Sequence, residues 1–479
     1  MRLAVLLCIF LHLVEVIQAA PTTNTTNTTT NDSLEAPSFT TRTLWTIVSS
    51  SVLTLFACIY SAIHPNIPSP KDSPYRILRR RLGIMIMALI APELMVTWAM
   101  RQWLSARYIT RRFKKSGYFS VRRKREEKAP VEAPQQRENR LLLAVLAQGA
   151  LSVLVGVPLA FLGALARSVK RSVKAYFSEQ SEDNAWTQTH SSFVLMGGFM
   201  LYVDGEPYFT LSPGQILKLI RNDCIDIPTL TERQIHDRSK GDAISKGLVM
   251  LQVAWFVMQL ITRAIYHLET TQLEAGTLAF AVLNFLTYAA WWNKPLDVQC
   301  PHPVHWKSTD SRPTDYGIDV PQSRRFSFWG IWSPVLDPIT DLLNFSYVRQ
   351  KLRVPTFSGT RIEDSDILIL LCSGLLLANI FGGIHCMAWF FAFPTYQEQV
   401  LWRMSAVAIT CTPYLIFLVT CFIYKLSISD AVRKAMFAPC VMLYVAARAI
   451  LLVLMFTTLR NLPPDAYKAV WWTSYVPHL

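Results

Sequence analysis

Apolar runs of about 20 residues, the length a helix needs to cross a bilayer, recur along the chain. Six meet that test well: Thr43 to Ile63, Lys246 to Tyr266, Leu273 to Trp292, Asp366 to Phe391, Arg403 to Tyr424 and Phe437 to Thr458. Two more are ambiguous. Leu82 to Met100 holds Pro92 and Glu93. Leu141 to Ala166 holds Pro158 and Gln148, with Gly149, Ser152, Gly156, Ala160 and Gly163 on one helical face, a spacing that lets membrane helices approach closely. The pattern predicts an all-α polytopic membrane protein of six to eight transmembrane helices, with 82–100 and 141–166 each a transmembrane or re-entrant helix.

Polar and basic positions set the rest of the layout. Residues 1–20 read as a secretory signal peptide, with an apolar run from Leu3 to Val14 and cleavage expected after Ala19. Residues 21–42 read as a disordered extracellular or lumenal tail, with glycosylation sequons at Asn24, Asn27 and Asn31. With the amino terminus outside, the span at 43–63 delivers Lys71, Arg76, Arg79, Arg80 and Arg81 to the cytosol, as basic loops require. If only one ambiguous segment crossed, the later basic loops would be exported. If both crossed, the 101–140 basic juxtamembrane segment would carry thirteen basic residues outside. Six full crossings plus a re-entrant pair satisfy both constraints, and either parity leaves the tail at 459–479 outside.

Between the apolar runs, 167–245 reads as a small α+β cytosolic module. Strands at Phe193 to Val203 and Pro207 to Leu211 flank the turn signal Asp204-Gly205, and Gly197-Gly198 reads as a bend or bulge. Ser212 with Gln215, and Thr231 with Gln234, read as helix caps. A membrane helical hairpin is expected over 246–292, a Pro- and aromatic-rich cytosolic loop over 293–365, and three transmembrane helices over 366–458.

Composition agrees. Only 17% of the 479 residues are charged and 51% are hydrophobic, against about 25% charged in soluble domains. The chain is not an ordinary soluble protein. Its net charge of +14 is concentrated in residues 101–128, where eleven basic residues face two glutamates. Trp103, Leu104, Tyr108, Ile109 and Phe113 interleave there with the cations, as in a helix lying among anionic lipid headgroups. Lipid bilayer, and not nucleic acid, is the expected partner; protein partners are not specified. Nine cysteines without a repeated spacing exclude a disulfide scaffold or zinc finger.

Ionisable groups inside apolar segments are the candidate chemistry. Glu93 and Arg448, the latter one turn after Tyr444, are expected to pair, so that exchanging the two charges partly restores folding. Gln252, Gln259 and Arg263 share one helix face, and Thr277, Asn284 and Tyr288 share another, with Glu269 and Glu274 within reach of Arg263. A tight antiparallel hairpin follows, its polar faces serving as structural glue or as a hydrated pathway. His385, after Gly382-Gly383, is a packing residue, a proton carrier or a catalytic base. Cys300, His302 and His305 form a weak candidate metal set with no fourth ligand, and no cofactor is expected. Strings such as G-x-S-x-G, H-E-x-x-H or G-K-[ST] do not occur.

The strings Thr-Gln-Thr-His190, Met196-Gly-Gly-Phe199, Asp237-Arg-Ser-Lys-Gly-Asp242, Trp291-Trp-Asn-Lys-Pro295, Gly383-Ile-His-Cys-Met-Ala-Trp389 and Phe393-Pro394 resemble a family of uncharacterised fungal multi-pass membrane proteins, over most of the chain from Thr43 to Pro477-His478. The resemblance supports the membrane reading and implies no activity, while the leader points to the secretory pathway, at the endoplasmic reticulum, plasma membrane or vacuole. Three readings stay open: a transporter or channel-like protein, a non-enzymatic scaffold, and a membrane-embedded lipid or acyl transferase. The last rests on a faint likeness of Phe328-Trp-Gly-Ile-Trp332 to a wax-synthase-like motif and on His385 acting with Asn379.

Overall fold

The computed structural model describes residues 39–61, 63–118, 186–239, 243–307, 352–354, 364–426 and 430–470. The leader, Asn24, Asn27, Asn31, residues 119–140 of the basic segment, the segment 141–166 and the Phe328 motif lie outside them. The helices are α1 (Leu44–Ser61), α2 (Pro74–Ile90), α3 (Pro92–Ser116), α4 (Gln188–Leu195), α5 (Pro213–Arg221), α6 (Glu232–Asp237), α7 (Ala243–Ile265), α8 (Gln272–Ala290), α9 (Asp364–Met387), α10 (Tyr396–Leu426) and α11 (Asp430–Thr457). The strands are β1 (Phe39–Thr41), β2 (Phe199–Val203), β3 (Glu206–Thr210), β4 (His302–His305) and β5 (Lys468–Val470).

Among the described residues, five helical stretches are long and apolar enough to cross a membrane: α1, α8, Ile369–Phe390, Tyr396–Thr420 and Met436–Arg460. Val249–Ile265 of α7 is a shorter apolar helix. Contacts at their ends give the directions. β1 pairs antiparallel with β5, so the start of α1 and the end of α11 share one end of the bundle. Arg42 brings the start of α8 there through Glu274, Arg263 brings the end of α7 through Lys468, and Gln272 brings the chain after α9 through the Ala392 carbonyl. At the opposite end Lys294, just after α8, meets His64 and Asn66, just after α1. Thus α1, α8 and α10 run one way and α7, α9 and α11 return.

The α2–α3 pair does not follow that alternation. A proline disfavours helical backbone in the residue before it, and Ala91, before Pro92, has φ −138 and ψ 71. The expected single segment 82–100 is therefore two helices, bent by 114°. Ile67, ahead of α2, bonds to the Met196 carbonyl of the module, and the end of α3 buries Ile109 and Phe113 in the module core. Both outer ends lie at the module end, so the pair enters the bundle and turns back. Leu104, Ile109 and Phe113 consequently pack inward on protein while Trp103 and Tyr108 are half-buried, and the rest of the segment expected among headgroups, 119–128, lies outside the described residues.

α8 is the central helix, 72% of its apolar window being buried, against 22–44% for the other four stretches. It packs on α1, α3 and α9, while α7 packs mainly on α1. The expected tight α7–α8 hairpin is thus opened by α1, which contacts both. Gly276 and Gly382 mark close approaches: a Cβ on Gly382 would lie 2.0 Å from Thr410 Oγ1, and one on Gly276 2.3 Å from Met455 Cε. Gly383 has open space beside it, so only one of the two adjacent glycines serves helix packing.

The module builds its own core around Phe193, Phe199 and Phe209. Asp204 (φ 52) and Gly205 (φ 81) supply the two positive φ values that a tight hairpin turn needs, and β2 and β3 pair as expected. Both capping boxes are present. Phe193 to Leu195, however, are helical and close α4, and Gly197–Gly198 is the turn into β2. A Cβ on Gly198 would meet the Phe193 ring at 2.3 Å. The third strand, β4, lies parallel to β2 and comes from the segment read as loop.

Candidate functional site

The break at Ala91 exposes the carbonyl end of α2 and the amide end of α3 inside the bundle, and charged side chains answer both. Arg448, midway along Met436–Arg460, donates from Nε to the Ile90 carbonyl (3.0 Å) and from Nη2 to the Leu89 carbonyl (3.1 Å). A cation is favourable against a helix C-terminus and a carboxylate in a helix first turn. Glu93 occupies that first turn of α3 and accepts from Tyr444 Oη. Its other oxygen, Oε2, is buried with no partner among the described residues. The guanidinium also lies 4.6 Å from the Phe381 ring centroid and 5.3 Å from that of Phe280, within cation–π range.

His385, fully buried, completes the centre. Its Nδ1 pairs with the Phe381 carbonyl (2.9 Å) and its Nε2 with Arg448 Nη1 (3.3 Å). Because a carbonyl only accepts and a guanidinium only donates, the proton sits on Nδ1 and Nε2 accepts. Trp402 Nε1 donates to the His385 carbonyl. Arg448 is thus shared among two carbonyls and an imidazole, and the expected direct Glu93–Arg448 ion pair is not formed; Tyr444 Oη, bonded to Glu93, also reaches the Ile90 carbonyl (3.4 Å) that Arg448 binds. Asn379 bonds to Tyr414 on α10, six residues and about 240° around α9 from His385. That spacing separates the two members of the expected acyl-transfer pair.

The other predicted polar residues are engaged locally. Gln252 Nε2 donates to Thr54 Oγ1 (3.1 Å), Asn284 Nδ2 to Ser61 Oγ (3.3 Å), and Thr277 to the Leu273 carbonyl. Gln259 is half-buried and makes no hydrogen bond among the described residues. Arg263 binds the carbonyls of Glu269, Lys468 (2.7 Å), Asp465 and Ala466, whereas the Glu274 carboxylate is taken by both Arg42 Nη atoms (2.6 and 3.2 Å) and caps α8 through Thr271. These bonds fasten the flanks of β1 and β5 to the bundle.

Lys294, in Trp291-Trp-Asn-Lys294-Pro295, reads from sequence as a basic residue of the loop after α8 and not as a buried group. Its Nζ donates to the His64 carbonyl (2.6 Å), Gln102 Oε1 (2.9 Å) and Asn66 Oδ1 (3.2 Å), and it lies 5.2 and 4.8 Å from the Trp98 and Trp291 rings. Three neutral oxygens and two aromatic faces surround the ammonium, and burial pulls its pKa well below the ordinary lysine value. A cavity of about 10 Å³ beside it, lined by Gln102, Gln188 and Asn293 among others, has room for about one water.

On the module, a cleft of about 380 Å³ is lined by Thr229, Leu230, Gln234, Asp237, Arg238 and His302. Arg238 Nη2 donates to His302 Nδ1 (3.2 Å). His302 and His305 are three apart on β4 and so face opposite sides, while Cys300 precedes the strand. Among the described residues no three His, Cys, Asp or Glu side chains are placed to hold a metal, so the C-x-H-x-x-H cluster is not assembled into a site.

Two imidazoles make the module acid-sensitive. His190 Nε2 donates to the Leu230 carbonyl while Nδ1 accepts from Thr187, closing the α4 capping box. Burial lowers its pKa below 6.5. Burial, with Arg238 and His305 adding, lowers that of His302 below the same value. The unfolded chain therefore binds more protons as pH falls through about 6.5, and module stability is lost on acidification below it. Melting temperature is expected to fall between pH 7.5 and 5, about neutral to mildly acidic, and less steeply for His190→Gln/His302→Gln. A melting temperature that is flat or rises on acidification would refute this.

The architecture is that of an antiparallel bundle of apolar helices entered by a broken, returning helix pair and capped by an α+β module. The chain belongs to a family of unknown function (DUF8562), which matches residues 6–160 and 163–312. The match covers α1 to β4, and so includes Glu93 and Lys294. No curated protein and no solved structure matches the chain.

Proposed function

We propose that this chain is a multi-pass integral membrane protein of the secretory pathway, with both flanks of the bundle on the extracellular or lumenal side and the module in the cytosol. Its role in this reading is that of a non-enzymatic scaffold presenting the module to a partner. One observation carries the reading. α3 is a continuous helix of 25 residues whose first turn lies at the Arg448 centre and whose last turns lie in the module core. It holds the module rigidly against the bundle, and Lys294 fastens the same junction. Apart from Gln259 and Glu93 Oε2, the polar groups that would line a pathway are hydrogen-bonded locally among the described residues, while the 380 Å³ cleft opens on the module.

Transport is the second reading, favoured by a broken helix midway through the bundle, an arrangement that recurs at transporter binding sites, and by the unpaired Glu93 Oε2. Reconstitution of the full chain in liposomes separates the two. The scaffold reading expects no proton or cation flux above that of empty liposomes. Flux that Glu93→Gln abolishes would replace it with transport.

A further inference from the structure

α2 is the least covered helix of the re-entrant pair. Tyr75, Arg79, Leu82 and Ile86 fall within a stripe about 60° wide and are all exposed, as are Arg76 and Leu78. Of the four arginines on this helix, two are engaged. Arg80 pairs with Asp72 at 2.7 Å, and Arg81 lies 4.6 Å from the Tyr60 ring and 3.6 Å from Asp297. The guanidinium groups of Arg76 and Arg79, three residues apart and therefore neighbours on the helix surface, form no hydrogen bond or ion pair among the described residues, while the Arg76 backbone N–H is taken by Ser73 Oγ (3.4 Å).

Depth selects what meets them. Ile90 lies level with Arg448, the midpoint of Met436–Arg460. With the 114° bend shared equally between the two legs, each leans about 33° from the bundle axis and climbs ~1.3 Å per residue. Arg79 then stands ~14 Å and Arg76 ~18 Å from the midplane, where the hydrocarbon ends at ~15 Å and the headgroups at ~20–22 Å. Leu82 and Ile86 fall at acyl-chain depth. The basic end of α3 at Lys114 and Lys115 reaches ~30 Å, beyond the headgroups.

We propose that Arg76 and Arg79, with Tyr75 beside them and Leu82 and Ile86 below, form a binding site for an anionic phospholipid, the guanidinium pair taking the headgroup phosphate and the apolar stripe an acyl chain. The proposal rests on the membrane reading above and moves the anionic-lipid contact from the 101–128 segment to α2. Guanidinium forks match phosphate oxygens and stay charged at any physiological pH. The stripe beneath them fixes the lipid's orientation and separates this site from a diffuse basic surface.

The test uses the full chain in nanodiscs of phosphatidylcholine containing a minor fraction of phosphatidylserine, with retained lipid counted by native mass spectrometry. Arg76→Gln/Arg79→Gln is expected to lower the preference for phosphatidylserine by about thirtyfold at low salt. Arg76→Lys/Arg79→Lys should keep most of it, and Lys114→Gln/Lys115→Gln should leave it unchanged. An undiminished preference in the first variant, or an equal loss in the last, overturns the site. If the first variant does not fold, a photoactivatable phosphatidylserine on the wild-type chain decides: labelling within 75–86 supports the site, and labelling confined to other segments overturns it. Release of the wild-type chain from membranes by alkaline carbonate would instead sink the membrane reading itself.

Discussion

Arg448→Met is expected to lower stability by about 3–5 kcal/mol, the cost of removing one member of a buried charged network. The substitution leaves the Leu89 carbonyl and the Nε2 of His385 without their donor, and the Ile90 carbonyl with only the longer bond from Tyr444 Oη (3.4 Å), in a place water does not reach. Those carbonyls belong to the last turn of α2, whose orphan acceptors cannot be met by the helix itself. The exchange Glu93→Arg/Arg448→Glu is expected to be no better than either single change. It would set a carboxylate against two carbonyl oxygens and a guanidinium in the first turn of α3, reversing both helix-end charges. Thermal unfolding and the yield of monodisperse protein measure the effect. Recovery in the exchanged variant would show that the two charges act as a direct pair.

Lys294→Met should follow at about 3 kcal/mol, since three acceptors lose a charge-assisted donor, Gln102 Oε1 keeping only Trp291 Nε1 (3.1 Å), and a lost hydrogen bond to a charged group costs about 1.5–3 kcal/mol. The three acceptors come from the chain after α1 and from α3, so the loss is expected at the junction between bundle and module. Proteolysis should open the chain near 293–300 in the variant at protease levels that spare the wild type. Lys294→Arg is not expected to rescue, because the planar fork is wider than an ammonium enclosed by Trp98 and Trp291. Asn66→Ala, which removes one acceptor and leaves the amine bonded twice, should cost about 1 kcal/mol. Equal losses in Asn66→Ala and Lys294→Met would argue against the ammonium as the organising group.

What the sequence made legible was what local rules govern. α1 and α8 begin and end within two residues of the apolar runs that announced them, and the Ser212 and Thr231 caps sit where three-residue spacing put them. Pro92 stood in the segment read as one helix over 82–100, and its constraint on the adjacent Ala91 divides that segment into α2 and α3. Partners were not legible. Glu93 and Arg448 looked like a pair since both are charged and mid-segment, but which carbonyls Arg448 meets depends on how α2 enters the bundle, 358 positions away along the chain. Lys294 reads in the sequence as one basic loop residue among several that set topology, because its cage is completed by His64, 230 residues earlier. β4 was missed for a similar reason: a four-residue strand has little periodicity of its own and exists because β2 offers it an edge.

The pairing of β1 with β5 sets a clock on assembly. Thr40 and its partner Ala469 are 429 residues apart, which at 5–20 residues per second is roughly 20–90 s of synthesis. The helix that emerges at the start therefore waits for the last strand before its outer end is fastened. During that interval Arg42, Arg263 and Glu274 are without the backbone of residues 465–468 that closes around them. A ribosome that stalls just before residue 468 leaves α1 to α11 synthesised and β1 without its partner strand, so β5 is the element that fastens the outer ends of α1 and α11 together.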